Sequence, residues 1–327
     1  MDTEETDVAP QMTHDQLSIT ISGIEDPEKA KAFGHTVLAY FNTLSQALDL
    51  RRVERMTVTA NYAEGLASVD RGFSAKAPVE HSQNENIQGV AMNVRTLRDG
   101  IPMVHIVFDI EMLLPLWVNE PGSSEHAQAL QILAHECAHA EDLKFRDEDS
   151  PGVLLQTQVK EWIDNHLGPQ AYAMWEEYYA CRRTARFFPA AGEGFLSSLC
   201  SSLETTPVTI EAAIDRFYTH NDVNLLASET LEPAGRPLRL AAYLLGHLDG
   251  LSQDWLDQVK LVEQIAGTPT YSFIERMHIE LRRLWDRKGG WSGLEDFQTL
   301  TEIATENYEV AGITVIPGEE GGAYIYA

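Results

Sequence analysis

Three cysteines in 327 residues are too few, and too odd in number, for a disulfide framework. Cys137, Cys181 and Cys200 therefore point to a reducing compartment. No run reaches the roughly 18 apolar residues that span a bilayer. The most apolar stretch, "VHIVFDIEMLLPLWV" (104–118), is broken by Asp109, Glu111 and Pro115. The opening residues, "MDTEETDVAPQM", lack the apolar segment of a secretion signal. A cytoplasmic location with no membrane partner is the expectation.

Positive charge is also scarce. Lys and Arg number 24 against 50 Asp and Glu, a net charge of −26. Such a surface repels nucleic acid and anionic lipid, so neither is an expected partner. It aids solubility, and a protein or peptide partner of basic character would suit it. No internal repeat and no Asn-x-Ser/Thr sequon occurs.

What is present reads as an α+β chain. Residues 1–15 are polar and acidic, and are expected to be a disordered tail. Residues 27–50 carry apolar side chains at helical spacing, among them Phe33, Val37, Phe41, Leu44 and Leu48. Alternation predicts strands over 53–60, 88–97 and 101–110, the last two joined by a turn at Asp99-Gly100. A short helix is expected over 62–70. Ser123 or Ser124 can cap a helix reaching about Phe145. Beyond it, helices are predicted over 153–166, 169–187, 208–220, 234–249, 253–266, 270–287 and 294–306. Residues 308–327 return to β character as a hairpin. The small, polar stretch 191–207 reads as a linker between a catalytic domain (16–190) and a helical domain (208–327).

One motif carries chemistry. "LAHECAHAED" (133–142) contains His135-Glu136-Cys137-Ala138-His139. Histidines four apart share one helix face, so their nitrogens can meet at one ion about 2.0–2.1 Å from each. Glu136 can then reach a water at the ion, the place of a general base. The flanking residues are small and apolar, as a buried helix requires. The plain alternative is two core histidines bonded to backbone carbonyls.

A catalytic zinc takes a third protein ligand. In the extended pattern His-Glu-x-x-His-x-x-Gly-x-x-His, Asp142 and Phe145 stand at the glycine and last-ligand places, so that pattern fails. No cysteine lies upstream. The remaining choice is an acid on the helix "AYAMWEEYYACRRTARFF" (171–188). Glu177 has the more apolar neighbours and is favoured; Glu176 is the other choice.

His135-Glu136-x-x-His139, followed about forty residues later by Glu177 and Ala180, resembles the gluzincin branch of zinc metallopeptidases. The run from Glu177-Tyr178-Tyr179-Ala180 to Phe187-Phe188-Pro189 is similar to the Glu-x-x-Ala…Pro stretch of the ImmA/IrrE family of bacterial regulatory peptidases. The resemblance covers roughly residues 53–189. It implies a zincin-like domain with Zn2+ on His135, His139 and Glu177, and Glu136 as base. It also implies that the strand before the motif helix, 103–109, is a sheet edge that pairs with an extended substrate. The activity implied is hydrolysis of a peptide bond in a specific intracellular protein. Tyr178, Tyr179, His220 and His247 are candidates to steady the oxyanion, and Arg182 and Arg183 to orient a carboxylate. Asp142 is a candidate to orient a histidine. His105 and Cys137 read as packing residues. The rival reading is a zinc-stabilised binding or regulatory module without catalysis.

Overall fold

The structure, a computed structural model, describes residues 12–74, 83–84, 87–88, 90–157 and 159–327. The fold is α+β, with much more helix than strand. It divides into two compact units, one up to Asp147 and one from Glu148 to Ala327. No helix among the described residues is long and apolar enough to cross a membrane.

The first unit is built on a mixed sheet. In chain order its elements are β1 (Ser18–Ile21), α1 (Pro27–Leu44), β2 (Val53–Thr59), α2 (Tyr62–Ala67), the two-residue strands β3 (Gln83–Asn84) and β4 (Ile87–Gln88), β5 (Ala91–Arg98), β6 (Ile101–Asp109), α3 (Ile110–Leu113), α4 (Pro115–Val118) and α5 (Ser124–Asp149). Asp26 caps α1 by accepting from the amides of Glu28 and Lys29, and Phe33, Val37, Phe41 and Leu44 bury its inner stripe. The sheet order is β1-β2-β6-β5. β1, β2 and β6 run parallel, and β5 is antiparallel to β6 across the Asp99-Gly100 turn, where both residues have positive φ.

This order corrects the expected edge. β6 carries the segment 103–109, is paired on both sides and is buried on both faces. A continuous apolar run marks a central strand, and the edge is β5. β1 was not anticipated, because four alternating residues at a sheet margin give little pattern. Of the expected tail, residues 1–11 lie outside the described residues. Residues 12–15 are held, since Met12 exchanges backbone hydrogen bonds with Ser45 and Leu50, and Thr13 bridges to Leu50. Most of the loop-like stretch 71–87 also lies outside the described residues.

The second unit contains α6 (Trp162–His166), α7 (Gly168–Thr184), α8 (Ala191–His220), α9 (Val223–Gly250), α10 (Val259–Ile265), α11 (Pro269–Asp286), α12 (Gln298–Val310), β7 (Thr314–Pro317) and β8 (Ala323–Tyr326). The last two strands form the expected antiparallel hairpin. The helix expected from 153 is only α6, because Gly152 and Leu155 adopt positive φ and the chain turns there.

The linker expected at 191–207 is instead the first half of α8. Gly, Ser and Thr lower helix propensity there, but Leu199, Cys200, Ile210 and Ala213 recur on one side and are buried. Packing against α9 outweighs the propensity. Pro207 is tolerated within the helix, as are Pro233 and Pro237 in α9. Pro237 has no N–H to give the carbonyl four residues back. That carbonyl, on Pro233, accepts the Thr206 hydroxyl at 3.4 Å instead. The two compact units meet in the chain at Asp147/Glu148.

Candidate metal centre

α5 begins where Ser123 Oγ accepts from the amide of His126. Its placement in the first unit is set by polar contacts at intervals along its length. Tyr40 and His126 share a 2.7 Å hydrogen bond, Glu141 accepts from the Asp49 amide at 3.1 Å, and Lys144 and Arg52 pair with Asp49 and Asp147. Between these anchors the helix is lined by Ala134, Cys137, Ala138 and Ala140, all buried. Small side chains let it lie close to the sheet.

His135 and His139 project from this segment one turn apart. Their Nε2 atoms are 3.0 Å from each other, and their rings are perpendicular. Two ligands at about 2.0–2.1 Å from a common ion lie about 3 Å apart, so the spacing suits one metal. One ligand atom each from His135, Glu136 and His139 falls within 4.8 Å of the others. Two imidazoles converging beside a carboxylate suit zinc or a similar first-row ion. Glu136 is buried, with 8% of its surface exposed.

Asn93, on the edge strand β5, reaches Glu136. Its Nδ2 donates to the Glu136 backbone carbonyl at 2.9 Å and to Glu136 Oε2 at 2.5 Å. Both partners are acceptors, which fixes which end of the amide faces them. Asn93 pairs with Ile106 and so shares its core-facing side of the sheet. The sequence reading missed this residue. The available signal was an asparagine, poor in β propensity, inside an alternating strand.

Tyr62, on α2 at the other face of the sheet, is within reach of the Glu136 charge. Burial raises its phenol well above the ordinary value, and the charges of Glu136 and Asp109 raise it further. It therefore stays a protonated donor at any physiological pH. Burial, then Glu136 and Glu141, pushes the Cys137 thiol up as well, so it is a packing residue and not a nucleophile. Asp142 forms a buried ion pair with Arg146 at 2.9 Å.

The other sequence candidates belong to the second unit. Glu177 lies on α7, where it accepts a hydrogen bond from Tyr243, and burial and then the Glu177 charge raise the Cys181 thiol. Glu176 is on the same helix, half-buried. Tyr178 donates to Asp249 and receives Arg182, so its hydroxyl is engaged. Tyr179 is packed among Trp175 and Trp285. His247 meets the Pro189 carbonyl at 2.9 Å, and His220 accepts the amide of Asp222. Arg182 stacks on Trp285 at 4.3 Å.

 

Arg183 is half-buried on α7. The structure thus brings together His135, Glu136 and His139 within the first unit and adds Asn93 to them. No protein family, curated protein or solved structure matches the chain.

Proposed function

We propose that the chain is a zinc-dependent peptidase with a zincin-like fold, akin to the ImmA/IrrE peptidases, in which His135, His139 and Glu177 hold the metal. The observation that carries this reading is the 3.0 Å approach of the two Nε2 atoms beside the Glu136 carboxylate. Glu177 enters the proposal from the sequence alone. A bound zinc supplies Lewis acidity, which acidifies a water and polarises a carbonyl. Glu136 accepts the proton of the attacking water on its carboxylate and passes it to the leaving amine. Asn93 holds that carboxylate in one orientation through its two donated hydrogen bonds.

Metal content of the purified chain tests the reading, measured beside Glu136→Ala and Glu177→Ala. The expected result is about one zinc per chain in the parent and in Glu136→Ala, and clear loss in Glu177→Ala. Cleavage of a mixed peptide pool should be present in the parent and absent in Glu136→Ala. No zinc in the parent after zinc is supplied would overturn the proposal. Zinc retained with no cleavage of any peptide would favour the non-catalytic module.

A further inference from the structure

A second site lies on the opposite face of the same sheet. The alternation of the strands puts Met56, Ile106 and Asn93 on the face toward α5, and Arg55, Thr57 and His105 on the other. Part of that other face is covered, where Tyr62 and Leu66 of α2 pack on Val94 and Val107. Among the described residues, nothing packs over the part above β1 and β2. It forms the floor of a cleft of about 840 Å3. Strands β1, β2 and β6 are parallel, and parallel sheets are ordinarily covered on both faces. An open polar region on such a sheet therefore calls for an explanation.

The floor is a row of donors. Ser18 is directly opposite Arg55 and Thr20 directly opposite Thr57, while His105 flanks Arg55 on its other side. Neighbouring strands place these groups about 5 Å apart. Thr57 and His105 share a 2.8 Å hydrogen bond, and His105 is only 7% exposed. Burial, then the charge of Arg55, lowers the His105 imidazole to about 4, so the ring is neutral at physiological pH.

The charges in the cleft are almost all matched. Glu54 is held by Arg98 and Thr96, Glu64 by Asn61, and Asp70 accepts the amide of Gly72. Arg55 is the exception: its guanidinium has no hydrogen bond or ion pair among the described residues. In a chain with 50 acids and 24 bases, a cation without an acid partner at the floor of a cleft is unusual. The hydroxyls of Ser18 and Thr20 are likewise unbonded among the described residues.

We propose that Arg55, Ser18, Thr20, Thr57 and His105 form a binding site for a small phosphorylated organic molecule, with its phosphate on Arg55. Donors from three neighbouring strands line one floor, so a phosphate on the Arg55 fork has oxygens left over for the hydroxyls beside it. The cleft is far larger than free phosphate and has room for a polar remainder among its hydroxyls. This site is independent of the metal centre and stands or falls without it.

Calorimetric titration of the full chain with ribose 5-phosphate, adenosine 5′-monophosphate, inorganic phosphate and succinate tests it, repeated on Arg55→Ala and on Ser18→Ala/Thr20→Val. These side chains are exposed, so the variants should melt with the parent when no ligand is present. At least one monoester should bind the parent more tightly than inorganic phosphate does, and Arg55→Ala should weaken it roughly tenfold or more. The double variant should show a smaller loss. Binding of inorganic phosphate alone, of succinate alone, or of none of the four would overturn the proposal. So would monoester binding that is unchanged in Arg55→Ala.

Discussion

Two buried acids, one in each unit, are held in opposite ways. In the first unit, Glu136 has Asn93 as its side-chain partner in the sheet, a neutral amide. In the second, the Asp249 side chain is 3% exposed and is met by the Tyr178 hydroxyl, His278, Arg182 and Arg282. Burial would raise the Asp249 carboxyl, but the hydrogen bonds from His278, Arg282 and Tyr178 outweigh it and hold the group well below the usual carboxylate range. A carboxylate so surrounded by cations is a poor proton acceptor. Burial by itself does not decide how an acid behaves. The partners do.

The comparison can be broken most sharply at Asp249. Asp249→Ala leaves Arg182 and His278 without their anion, and should cost about 3–5 kcal/mol in a denaturant titration. A loss below about 1 kcal/mol would show that the cluster is not what joins α7, α9 and α11. The parent carboxyl's depressed value has a definite sign. Its contribution is complete above the ordinary value of 3.8 and is lost only as the pH falls further into acid.

His105 gives the first unit a pH signature of the same sign, at higher pH. Its folded value is about 4, against 6.5 when unfolded, so the unfolded chain binds the extra proton between these limits. Stability should be complete above pH 6.5 and fall by up to about 3 kcal/mol as the pH drops through 4. His105→Phe should flatten that slope, and an unchanged slope would assign it elsewhere.

Packing offers a third test. A Cβ at Gly246 would lie 2.3 Å from the Tyr178 carbonyl oxygen, so α9 and α7 touch backbone to backbone there. Gly246→Ala should cost about 1–3 kcal/mol by thermal melting. The smallest change in stability is expected at Asn93. Asn93→Ala should lower peptide cleavage about 10- to 100-fold while zinc content holds. Equal cleavage in parent and variant would remove Asn93 from the site.

Elements with strong local periodicity were readable in the sequence. The motif helix, α1, α7, α11 and the β5–β6 hairpin all lie close to their expected ranges. Where the pattern was weak, neighbours decided. Residues 191–207 are helical because Leu199 and Cys200 are buried, despite glycine and serine around them. β1 exists because β2 offers it an edge.

The sequence by itself determined that His135 and His139 share one face, since four residues make about one helical turn. It also determined the hairpin turn at Asp99-Gly100, where positive φ favours glycine and tolerates aspartate. Only the tertiary structure decided that β5, not β6, is the edge, and that Asn93 lies against Glu136, 43 residues away in the chain. Local spacing is set by backbone geometry within a few bonds. Strand order and cross-strand neighbours depend on which surfaces the whole unit can bury, and no short stretch of sequence contains that information.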